Sequence, residues 1–73
     1  MRTFNINYHN SEIKVVQQDE ELFTVHLPNL TMRLQLRQDN EGANHWFEEH
    51  RDNETVETKG IGMAIETWLA KHK

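Results

Sequence analysis

The stretch Leu22-Phe23-Thr24-Val25-His26-Leu27-Pro28-Asn29-Leu30-Thr31-Met32-Arg33-Leu34-Gln35-Leu36-Arg37 decides the architecture. Phe23, Val25 and Leu27 alternate with Leu22, Thr24 and His26. Met32, Leu34 and Leu36 alternate with Thr31, Arg33, Gln35 and Arg37. A period of two belongs to strands with one face buried. Pro28 and Asn29 are suitable turn residues between them. A loop over residues 28–31 sets Leu27 against Met32, Val25 against Leu34 and Phe23 against Leu36. Apolar meets apolar throughout, so the stretch reads as a hairpin.

The chain before this hairpin follows the same rule. Phe4, Ile6 and Tyr8 alternate with Asn5, Asn7 and His9, and Ile13 and Val15 flank Lys14. Because a slip of one residue turns every side chain to the wrong face, the loops can be tested by parity. A turn at Asn10-Ser11 pairs Tyr8 with Ile13 and Ile6 with Val15. A loop over residues 19–21 pairs Val15 with Val25 and Ile13 with Leu27, whereas a two-residue turn at Asp19-Glu20 splits the core. All three hairpins therefore share one apolar face.

Beyond Arg37 the pattern changes. Residues 38–44 form a polar loop containing Gly42, and residues 45–50 suit a short fifth strand at an edge. Trp46 and Phe47 are adjacent, so only one of them faces the core. Residues 51–57 are charged, with a turn or helix-start signal at Asp52-Asn53. Then Ile61, Ala64, Ile65, Trp68 and Leu69 fall on the stripe of an amphipathic helix. Lys71, His72 and Lys73 suit its C-terminus. Gly60 and Gly62 weaken the first turn. They point either to close approach of helix and sheet or to a helix that starts only near Lys59. The reading is one small α+β domain over residues 1–73. It is a four- to five-stranded antiparallel meander with one C-terminal amphipathic helix packed on one face, and Trp68 is expected on the sheet beside Ile6, Val15, Val25 and Leu34.

Composition narrows the function. The 73 residues hold no Cys and one Ser, with 36% apolar and 27% charged residues and a net charge of −4. That removes a disulfide scaffold, a Cys-based zinc site, a Cys nucleophile and a redox motif. No run approaches the eighteen or so apolar residues of a membrane span. No signal-like segment is visible, so the expected location is cytoplasmic. A core this small leaves a stability margin near zero, which makes burial against a second chain attractive.

Each chemical constellation falls short. His45 and His50 lie on opposite faces of a strand and cannot converge on a metal. Asp39-Asn40-Glu41-Gly42 has the wrong spacing for a calcium loop. Gly60-Ile61-Gly62 lacks the third glycine of a phosphate cradle. Ser11 reads as a turn residue, and its neighbour His9 is badly placed to act as a base. No catalytic residue, metal site or cofactor is therefore expected.

Two surfaces remain. Parity lays Asn7, Lys14, His26 and Arg33 across the open sheet face, with Gln35 and Arg37 extending the row. Such a face suits a polyanion or single-stranded nucleic acid, although net charge −4 disfavours nucleic acid. Residues 48–57 carry five acids and one Arg, suited to a basic partner or simply solvated. The leading expectation is a small non-catalytic interaction module with a protein partner or itself, as a weak homodimer through a strand edge or through apolar surface that a single helix leaves uncovered, and no membrane contact. The alternative is polyanion binding through Asn7, Lys14, His26, Arg33 and Arg37.

Overall fold

The computed structural model describes residues 1–51 and 53–72. Five strands follow one another, β1 (Arg2–Tyr8), β2 (Ser11–Gln17), β3 (Leu22–His26), β4 (Thr31–Gln38) and β5 (Asn44–Glu48), and a helix, α1 (Val56–Lys71), closes the chain. The strands form one antiparallel sheet in the order β1-β2-β3-β4-β5, so β1 and β5 are its two edges. The α+β meander expected from the alternation is the fold.

Parity is kept, but one hairpin turns a residue earlier than expected and another is tighter. β1 and β2 turn at His9-Asn10, with Tyr8 opposite Ser11, Ile6 opposite Ile13 and Phe4 opposite Val15. His9 and Asn10 both have positive φ, 51° and 62°. That conformation matches strand twist in two-residue hairpins. The second correction lies at the Pro28-Asn29 turn, where the Leu27 N–H donates to the Leu30 carbonyl at 2.9 Å. It puts Val25 opposite Met32 and Phe23 opposite Leu34. Each correction moves the register by two residues, which leaves every side chain on its face. The loop over residues 19–21 is as expected, with Val15 opposite Val25. Asp39 folds the loop before β5 by accepting from the N–H groups of Glu41 and Ala43, and Gly42 takes a φ of 86° there.

One face of the sheet carries the core. Phe4, Ile6, Ile13, Val15, Phe23, Val25, Met32 and Leu34 are buried together with Trp46, Ile61 and Ile65. Trp46 is the inward aromatic of β5, and Phe47 lies half-buried on the opposite face. Trp46 packs 5.1 Å from the Phe23 ring, and its indole N–H donates to Glu66 at 2.6 Å.

The helix begins at Val56, three residues before Lys59. Its N-cap is Thr55, whose hydroxyl accepts from the Thr58 N–H while the Thr55 N–H donates to the Thr58 hydroxyl. This reciprocal pair satisfies two donors that a helix start otherwise leaves free. Of the Asp52-Asn53 signal, Asp52 lies outside the described residues and Asn53 precedes the cap. Gly62 resolves the choice left open by the sequence. A Cβ there would stand 2.2 Å from Cγ of Trp46. The glycine is needed for close approach.

Trp68 is displaced from its expected place. It stacks on Phe4 with ring centroids 3.9 Å apart, at the β1 end of the sheet, and remains partly exposed. Its other face stacks on His72, and Arg2 lies over the ring. The fully buried tryptophan is Trp46 on β5 instead.

Candidate functional site

The shifted registers redistribute the open face. Asn7 stands opposite Glu12, and Lys14 is flanked by Asn5 and His26. Arg33 pairs across with Thr24, two pairs along from His26. The Arg33 Nε lies 3.3 Å from a carboxylate oxygen of Glu49. Arg37 is opposite His45 and sits over the Phe47 ring at 5.4 Å. The structure thus brings Lys14 and His26 together, and holds Asn7, Arg33 and Arg37 in other rows, each beside an acid or an aromatic. Half-buried Val16, Leu22 and Phe47 share this face.

The acidic stretch is similarly committed. Glu48 pairs with Arg51 at 3.3 Å, and Glu49 with Arg33. Glu54 accepts from the Trp46 backbone N–H at 2.8 Å and meets Nδ1 of His45 at 3.3 Å. The other ring nitrogen of His45 reaches Asp39 at 3.0 Å. Hydrogen bonds from Asp39 first and Glu54 second raise the His45 pKa above its ordinary value. The Glu54 carboxyl is held below its usual range, chiefly by the Trp46 N–H. These side chains tie the β4–β5 loop to the segment that leads into the helix. Among the described residues no three His, Cys, Asp or Glu side chains gather as a metal-ligand set. Ser11 is exposed at the start of β2, and the His9 ring lies against Tyr8 at 4.1 Å.

The edges carry the most distinctive geometry. In β5, Trp46 directs its backbone N–H and C=O away from β4, as alternate residues of an antiparallel strand do. Both are met from the helix side, the N–H by Glu54 and the carbonyl by the Thr58 hydroxyl at 2.9 Å. In β1, Tyr8 and Ser11 close the turn, so Thr3, Asn5 and Asn7 point their backbone groups away from β2. Among the described residues these groups meet no other backbone partner. Beside them a groove of about 450 Å³ runs between β1 and α1, lined by Asn5, Asn7, Ala64, Thr67, Trp68 and Lys71. Sequence reasoning identified Asn7 for its side chain, but missed Asn5 and the groove. Only the β1–β2 register shows which backbone groups are free.

Comparison with protein-family models, with curated proteins and with solved structures finds no match for this chain. No described helix is long and apolar enough to cross a membrane.

Proposed function

We propose that this chain is a non-catalytic interaction module that takes up an extended segment along β1. The observation that carries the reading is the contrast between its edges: β5 has the Trp46 backbone groups met by Glu54 and Thr58, whereas Thr3, Asn5 and Asn7 present theirs outward. An unpaired strand edge is a template for another strand, and main-chain hydrogen bonds supply affinity in that mode of recognition. The groove beside β1 gives the incoming side chains an apolar and amide-lined floor. Polyanion binding through Asn7, Lys14, His26, Arg33 and Arg37 is the weaker reading, because Glu49 already engages Arg33 and Glu12 faces Asn7.

A display selection of random ten-residue peptides tests the proposal. Enriched peptides are expected to lose about tenfold in affinity against Asn5→Pro, which removes an outward N–H and leaves the bonds to β2 intact. No enrichment, or peptides indifferent to Asn5→Pro, overturns strand docking. On heparin the protein is expected to flow through. Retention to about 0.3 M salt, where weak ionic contacts are screened, transfers the function to the basic row.

A further inference from the structure

We infer that the segment taken up along β1 is β1 of a second copy of this chain, running antiparallel about a twofold axis. The inference rests on the strand-docking reading and specifies its partner.

A twofold interface must be complementary to itself. The outward backbone groups of β1 belong to Thr3, Asn5 and Asn7, so an antiparallel pairing has to match odd positions with odd positions. An axis at Ile6 sets Asn5 of each copy opposite Asn7 of the other. Both are uncharged amides, each donor and acceptor, so no like charges meet at the centre.

The helix selects that axis. Gly60 stands over Tyr8 and Trp68 over Phe4, so α1 runs antiparallel to β1. Ala64, midway between them in the helix, lines the groove with Ile6. Glu57, Gly60, Ala64, Thr67 and Lys71 form one stripe on the β1 flank of α1. An axis at Ile6 brings Glu57 of one copy level with Lys71 of the other, twice. The residues between are Gly60, Ala64 and Thr67, small enough to let the flanks approach. An axis moved to Asn5 keeps the backbone match but takes acid and base out of level. At β5 the outward groups at the middle of the strand, those of Trp46, are already taken, which blocks continuation there. The assembly therefore closes at two chains, with a sheet twice the width.

Sedimentation equilibrium of the full chain from about 10 μM to about 1 mM tests this, the range where a small, weak interface associates. A monomer–dimer equilibrium is expected. Asn5→Pro and Lys71→Glu should each weaken it about tenfold. Lys71→Glu combined with Glu57→Lys should restore it, since the swap exchanges the partners without changing their sum. Melting curves confirm that each variant is folded. A wild type that stays monomeric at the top of the range overturns the inference, and the peptide selection then decides strand docking separately. A dimer indifferent to Asn5→Pro and to the charge swap also overturns it, because its interface lies elsewhere.

Discussion

At β5 the outward N–H and carbonyl of Trp46 end on Glu54 and Thr58, and Gly62 lets the helix rest directly on the indole ring. At β1 the corresponding groups of Thr3, Asn5 and Asn7 face outward, and a Cβ at Gly60 would stand 3.2 Å from the Tyr8 ring, a tight contact that a small shift of that side chain relieves. One helix touches both edges, yet it finishes only one. The difference lies in the residues just before and within the first two turns of the helix. Glu54, Thr58 and Gly62 fall where they reach β5, and nothing comparable is aimed at β1. Edge strands left open invite pairing, so a fold that seals one side and not the other restricts association to the remaining side.

The two helix glycines offer the largest way to break this contrast. Gly62→Ala forces a methyl into the Trp46 ring and should cost about 3 kcal/mol, the upper range of overpacking in a filled core. Gly60→Ala should be nearly neutral, because the gain in helix propensity of about 1 kcal/mol offsets a small shift of Tyr8. Urea unfolding of the pair checks it. Equal losses would mean that the helix presses both edges alike.

Trp68→Ala should rank second. Trp68 is partly exposed and stacks on Phe4, so the loss is expected near 2 kcal/mol, less than the roughly 3–5 of a fully buried ring. Measured in the same urea series, a loss above 4 kcal/mol would show the β1 flank to be built as tightly as the β5 flank.

The smallest effect concerns the His45 tie on the β5 side. Its pKa is raised, foremost by the Asp39 hydrogen bond, so its contribution is full below the unfolded value of about 6.5 and fades as pH rises through the folded value. Asp39 and Glu54 are lowered, Asp39 chiefly by His45 and Glu54 chiefly by the Trp46 N–H. Their contribution holds above their unfolded values of 3.8 and 4.5 and fades as pH falls through the folded ones. The melting temperature should therefore crest between about pH 4.5 and 6.5, and His45→Gln should flatten its alkaline side. An unchanged profile in that variant would detach His45 from the sealing of β5.

Much of the fold was legible because burial has a strict period. Phe23, Val25, Met32 and Leu34 alternate without error, so the first four strands, their order and their inward face follow directly, while the pattern leaves the fifth strand undecided. Register does not follow, since a shift of two residues preserves parity. At the first turn the decisive fact is the positive φ of both His9 and Asn10, a backbone property that His does not advertise. Of Trp46 and Phe47, the inward one depends on the pairing of Leu36 with Trp46, which the polar loop before β5 hides. The candidate edge was harder still. The neutral residues Thr3 and Asn5 become notable only once their backbone groups are seen to lack a neighbour.

The two flanks of the helix also differ in how far apart their contacts lie along the chain. Thr58 reaches Trp46 across a separation of 12 residues, while Arg2 donates to the carbonyl of His72 across 70. Closing the longer loop costs about 1.5 kcal/mol more in chain entropy. The sealed side is thus the cheap closure and the open side the expensive one, independent of how well either is packed. A tryptophan sits on each, Trp46 on the first and Trp68 on the second, so single-tryptophan variants give each closure its own optical signal.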